Sequence, residues 1–121
     1  MKKILIIEDE PALQDALKKV FAGEGFEILQ AFDGEEGVSM VSEKKPDLVL
    51  LDLILPKKHG FEILEWMKQN AETKDIPVLV LTNLEESSDV MKAIELGARG
   101  YLVKANYAIK DVLAKVKSII G

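Results

Sequence analysis

Two kinds of segment alternate along the chain. Short continuous apolar runs, Ile4 to Ile7, Leu48 to Leu51, Val78 to Leu81 and Tyr101 to Val103, with the more polar Glu27 to Ala31 as a fifth, are separated by longer stretches whose apolar residues recur at helical spacing. Runs without in/out alternation suit strands covered on both faces, as in a parallel sheet. Leu13, Ala16, Leu17, Val20 and Phe21 fall on one helical face, and Pro11 takes the first-turn position, where its missing N–H costs little. Asp33 and Glu36 have the spacing of a capping box and open a second helix carrying Val38 and Val41, before Pro46 limits the connection. A third helix follows Gly60 and carries Phe61, Leu64 and Met67; a polar link from Asn70 to Asp75 then leads to Pro77. Val90, Ile94 and Gly97 are assigned to one face of a fourth helix, with Gly97 and Gly100 at its end. The stripe Ile109, Val112, Leu113, Val116 and Ile120 makes a fifth. The order is βα repeated five times, and right-handed crossovers then predict an α/β three-layer sandwich of helices around a parallel sheet.

Composition bounds what such a fold does. With 121 residues, 48% of them hydrophobic, the chain suits one domain, expected over residues 1–121, and no linker or repeat interrupts it. The formal charge of −5, with lysines scattered rather than clustered, disfavours direct nucleic-acid binding. The absence of cysteine excludes disulfides and thiolate metal sites. Met1 to Ile7 has the look of a signal peptide, but Glu8, Asp9 and Glu10 end the apolar run too early, and no later run approaches bilayer length. A soluble, cytoplasmic protein without membrane insertion is the expectation.

In open parallel sheets, ligands bind outside the carboxyl ends of the strands. The first strand ends in Glu8 and Asp9, the third in Asp52, the fourth in Thr82 and the fifth in Lys104. Three carboxylates against one ammonium leave excess negative charge, which a hard cation such as Mg²⁺ compensates, and Mg²⁺ prefers one or two carboxylates together with phosphate oxygens. A carboxylate can also attack phosphorus, and Asp52, at the centre of the sheet, is the candidate nucleophile.

These residues resemble the response-regulator receiver family over essentially the whole chain. The resemblance rests on Glu8 and Asp9 after the first strand, Asp52 in LDLILPKKHG, Thr82 after VLVL, Lys104 in GYLVKA, and on Pro56 and Gly60. It implies a flavodoxin-like, doubly wound sheet in the order 2-1-3-4-5. It also implies a phosphoryl group taken by Asp52 from a histidine kinase or histidine phosphotransfer protein. Asp9, Asp52 and the Ile54 backbone carbonyl would hold Mg²⁺ directly, with Glu8 acting through water. Lys104 and Thr82 would contact the phosphoryl group, and Tyr101 would be the switch aromatic. The face of the fourth helix, fifth strand and fifth helix would then signal to a downstream effector protein or domain, with a homodimer on phosphorylation also compatible.

The chain departs from the family pattern at two places. Ala105 stands where proline usually follows the lysine, so the loop either keeps a cis bond costing roughly 2.5–4 kcal/mol or is rebuilt in trans. Asn83 stands where the family usually has Ala or Gly. Ile54 and Leu84, two residues beyond Asp52 and Thr82, would flank the path of hydrolytic water and prolong the phosphorylated state. His59, the only histidine, reads as a loop residue rather than a phosphodonor. Three other functions are open to such a chain: a phosphorylation-independent adaptor, a haloacid dehalogenase-type hydrolase and a flavin carrier. Ile54 lacks the second aspartate of the hydrolase, and the acidic first loop does not suit an anionic flavin phosphate.

Overall fold

In the computed structural model, which describes residues 1–121, the five apolar runs form β1 (Lys3–Ile7), β2 (Glu27–Ala31), β3 (Leu48–Leu51), β4 (Val78–Thr82) and β5 (Gly100–Val103). The intervening stretches form α1 (Pro11–Ala22), α2 (Gly34–Lys44), α3 (Gly60–Gln69), α4 (Ser87–Glu95) and α5 (Ile109–Ile120). All strands are parallel, in the order β2-β1-β3-β4-β5.

Successive strand residues point to opposite faces, so one sheet supplies two cores. Leu5, Ile7, Val49, Leu51, Val78 and Val80 pack with Val41, Ile63, Leu64, Met67 and Ala93 beneath α2, α3 and α4. Ile4, Ile6, Leu48, Leu50, Leu79 and Leu81 pack with Leu17, Phe21, Val112 and Val116 beneath α1 and α5. Burying each such Leu, Ile or Val contributes about 1.5–3 kcal/mol. The unbroken apolar runs of β1, β3 and β4 follow from this double coverage, while the edge strand β2 keeps Glu27 exposed.

The Asp33 cap forms as expected: its Oδ1 accepts from Glu36 N at 2.8 Å, while Glu36 Oε1 accepts from Phe32 N at 2.7 Å, one residue before the cap. His59 is not a free loop residue but caps α3, its Nδ1 accepting from Phe61 N at 3.2 Å. Two helical faces differ from the sequence reading. In α1 the buried positions are Gln14, Leu17 and Phe21, and Val20 is exposed. In α4 the buried residue is Ala93, Ile94 is 49% exposed, and Gly97 lies beyond the helix. The helix is short and packs through its smallest apolar side chain, which lets it lie close to the sheet and turns Met91 and Ile94 outward.

Candidate functional site

The register sets the site. Ile7 pairs with Leu51, so the next residues, Glu8 and Asp52, leave the sheet side by side. Asp52 N donates to Ile7 O and Glu8 N to Ala31 O, each at 3.0 Å, which carries the ladder one residue past the strands. Glu8 is 3% and Asp52 5% exposed, Asp9 is exposed, and one carboxylate oxygen from each lies within 4.8 Å of the others.

Buried carboxylates this close need a cation. Lys104, just past β5, supplies one: its Nζ lies 2.7 Å from Glu8 Oε1, 2.9 Å from Asp52 Oδ2 and 3.7 Å from Glu10 Oε1. No peptide bond in the chain is cis. The Lys104–Ala105 alternative is therefore settled in favour of trans, and residues Lys104–Asn106 form one 3-10 turn that still delivers the ammonium to Asp52. The other oxygens are also engaged, Asp52 Oδ1 accepting from Ile54 N at 3.2 Å and Glu8 Oε2 from Glu10 N at 3.0 Å.

Burial pushes the Glu8 carboxyl up to about 7, against hydrogen bonds from Lys104 and Glu10 N–H, and the Asp52 charge adds to the rise. Burial pushes the Lys104 ammonium down, but its bonds to Glu8 and Asp52 outweigh this and hold it above its ordinary value. Glu8, Asp9, Glu10 and Asp52 thus set four carboxylates around one ammonium. Asp9, Glu10, Asp52 and Lys104 border an open cleft of about 310 Å³ that Ile54 and Asn83 also line, with Glu8 buried behind them. An oxygen-only donor set with surplus negative charge fits a hard cation such as Mg²⁺.

The loop after Asp52 is held by backbone. A Cβ on Gly60 would lie 2.5 Å from both the Asp52 carbonyl oxygen and Leu53 Cα, so only glycine lets α3 start there. Lys57 has φ of 71°, and Lys58 N donates to Pro56 O at 2.9 Å, a tight three-residue turn. Pro56 O also accepts from Gly34 N at 3.1 Å, which ties this loop to α2.

The remaining predicted residues lie around the cleft. Thr82 is the last residue of β4 and fully buried; Leu84 N donates to its Oγ1 at 3.5 Å. Tyr101 is half-buried and its hydroxyl donates to Leu84 O at 2.8 Å, tethering the ring to the loop that starts after Thr82. Burial pushes the phenol up to about 12, with the charges of Asp89 and Asp52 adding to it. Ile54, 51% exposed, lines the cleft. Leu84 does not: it packs against the core, and Asn83 takes that part of the rim.

Sequence reasoning missed two residues here. Glu10 stands at the cap position of α1 yet makes no side-chain capping bond, leaving its carboxylate beside Lys104. Gln14 lies beneath Glu8, 1% exposed, and its signal was its place in the pattern, three residues before Leu17 and seven before Phe21 on the buried face.

A parallel α/β sheet thus carries buried acids and a lysine together at its carboxyl edge, where proteins of this architecture bind their ligands. The chain belongs to the response regulator receiver domain family, whose model matches residues 4–117. It is 37% identical over 120 residues to the DNA-binding dual master transcriptional regulator RpaA of Synechocystis sp., covering 99% of this chain and 49% of that protein. Likewise, it is 35% identical to the alkaline phosphatase synthesis transcriptional regulatory protein PhoP of Bacillus subtilis, covering 98% of this chain and 48% of that protein. The chain therefore spans about half the length of the curated relatives it matches. Among solved structures, the Mn²⁺-bound form of the response regulator Rcp1 superposes with a TM-score of 0.84 at 35% identity, covering 98% of this chain and 91% of that one. Receiver domains of this family act in two-component, phosphorylation-dependent signalling. No helix is long and apolar enough to cross a membrane.

Proposed function

We propose that Asp52 accepts a phosphoryl group from a histidine kinase or histidine phosphotransfer protein in a Mg²⁺-dependent reaction. The observation that carries this reading is the meeting of Glu8, Asp9 and Asp52 within 4.8 Å, with Lys104 Nζ 2.9 Å from the Asp52 carboxylate. Asp9, Asp52 and the Ile54 carbonyl would hold Mg²⁺, with Glu8 acting through water. That the similar response regulator Rcp1 was solved in an Mn²⁺-bound form supports binding of a divalent ion by this fold. Bound there, the ion supplies positive charge against the carboxylates and the phosphoryl oxygens.

Asp52 attacks phosphorus; a P–O bond forms as the P–N bond of the donor phosphohistidine breaks, and the imidazole leaves with the bonding pair and is protonated. Lys104 then exchanges its carboxylate contact with Asp52 for the new phosphoryl oxygens, to which the Thr82 hydroxyl donates. A shift of Thr82 reaches Tyr101 through the Leu84 carbonyl, which supports Tyr101 as the switch aromatic. The α4–β5–α5 face carries the signal to an effector protein or domain, or to a second copy of the chain, through the outward Met91 and Ile94. Residues 1–121 act as one cytoplasmic receiver unit, and the net charge of −5 argues against direct nucleic-acid contact by this unit.

The test is intact mass after incubation with acetyl phosphate and Mg²⁺. The expected result is a gain of one phosphoryl group that is abolished by Asp52→Ala and by chelation. No gain, or a gain that survives Asp52→Ala, refutes the proposal.

A further inference from the structure

The side chain of Gln14 is the most deeply committed polar group outside the acidic cluster, and nothing in the phosphoryl chemistry uses it directly. From the first turns of α1, its Nε2 reaches three backbone carbonyls, Ala31 O at 2.8 Å, Ile6 O at 3.0 Å and Glu8 O at 3.1 Å. These are the last residue of β2, a residue near the end of β1, and the first acid of the cluster. One amide N–H₂ group thus joins the two strand ends at the point where β1 stops and the acidic turn begins. The same turn is tied from the other side by Glu8 N donating to Ala31 O at 3.0 Å, and α1 is tied back to β2 by Gln30 Nε2 donating to Gln14 O at 3.2 Å.

The amide is poorly served in return. Gln14 Oε1 is buried and accepts no hydrogen bond, an unfavourable state for a carbonyl taken out of water. Its neighbours on the helix face, Leu17 and Phe21, are apolar, so a hydrophobic residue at position 14 would fill the space without that orphan. What it would lack is the pair of N–H donors. We infer that Gln14 is a positioning residue: its amide clamps the β1–α1 turn so that the Glu8 and Asp9 carboxylates face Asp52 and a divalent cation. The inference rests on the cation reading of the acidic cluster, and it acts through the Glu8 backbone rather than by contact with the ion.

Partners that orient metal ligands are worth 10- to 100-fold in affinity, and a clamp acting through backbone belongs at the lower end, about tenfold. The experiment measures Mn²⁺ affinity by the electron paramagnetic resonance of free Mn²⁺, at a temperature where circular dichroism shows every variant folded. Gln14→Met keeps the length of the side chain and removes the donors; it is expected to bind Mn²⁺ about tenfold more weakly. Gln14→Arg restores donors and is expected to return to within about threefold of the parent. Unchanged affinity in Gln14→Met overturns the inference, as does a loss that Gln14→Arg fails to recover, which marks a packing effect. Should Gln14→Met fail to fold, Gln14→Asn, whose amide is one methylene too short to span three carbonyls, is expected to lose affinity, and parental affinity there overturns the clamp. A parent protein that binds no Mn²⁺ overturns the cation reading itself. Amide hydrogen exchange without metal then decides on Gln14 alone: faster exchange at Glu8 and Glu10 in Gln14→Met supports the clamp, and unchanged exchange refutes it.

Discussion

Replacing Glu8 by Gln tests the electrostatics of the cluster most directly. The Glu8 carboxyl is raised from 4.5 to about 7 in the fold, chiefly by burial. Below pH 4.5 it is protonated in both folded and unfolded chains and contributes nothing to the pH dependence. Between the two values the folded chain binds the extra proton, so stability falls as pH rises; above pH 7 both states are ionised and the full penalty is present. The interval of about 2.5 pH units at 1.36 kcal/mol per unit gives roughly 3 kcal/mol. Glu8→Gln carries no charge and keeps one acceptor oxygen, for either Glu10 N–H or Lys104, which bond to different carboxylate oxygens in the parent; that loss does not vary with pH over this range. Urea unfolding of both proteins in chelator, from pH 4.5 to 8.5, is therefore expected to show the variant gaining on the parent by roughly 3 kcal/mol up to pH 7 and no further. Millimolar Mg²⁺ is expected to restore the parent at pH 8 and to do little for the variant, because the ion binds the ionised cluster. A stability difference independent of pH, or one of opposite slope, would refute the assignment of Glu8 as a carboxylate held in the fold at a desolvation cost.

Gly60→Ala places a Cβ against the Asp52 carbonyl oxygen and Leu53 Cα, and a loss of roughly 3 kcal/mol in urea unfolding is expected, with slower phosphoryl uptake by intact mass. Tyr101→Phe removes the donor to Leu84 O; about 1 kcal/mol of stability should go, while uptake on Asp52 stays and the phosphorylation-induced NMR shifts in α4 and β5 shrink. Ile54→Asn opens the cleft wall to water, and loss of the phosphoryl group, followed by intact mass after the donor is removed, is expected to speed up severalfold.

The local code was sufficient for the elements. Apolar runs of three or four residues between helical stretches suited strands covered on both faces, and the Asp33 and Glu36 spacing marked the cap that forms. Glu8, Asp9, Asp52, Thr82 and Lys104 were legible because each stands at the carboxyl end of an apolar run, and a parallel sheet brings those ends to one edge. What the chain order left open depended on pairing and distance. That Glu8 and Asp52 are neighbours follows from β1 pairing β3, a contact between residues 44 apart, and not from either residue's surroundings in the chain. Leu84 was expected at the cleft because counting two residues past Thr82 says nothing of the direction in which a loop turns; the Tyr101 hydroxyl pulls that backbone inward and Asn83 faces the cleft instead. Ile94 was grouped with Val90 on one face of α4 on spacing alone, yet the helix rests on Ala93, since its rotation is set by what the sheet can accommodate. Sequence by itself determined which acids, hydroxyl and lysine stand at the carboxyl ends of the strands, because type and strand-end position are local properties. Only tertiary structure decided how Lys104 divides itself among Glu8, Glu10 and Asp52 and why Gln14 is buried beneath them, because hydrogen bonds and desolvation depend on distances that the fold alone creates.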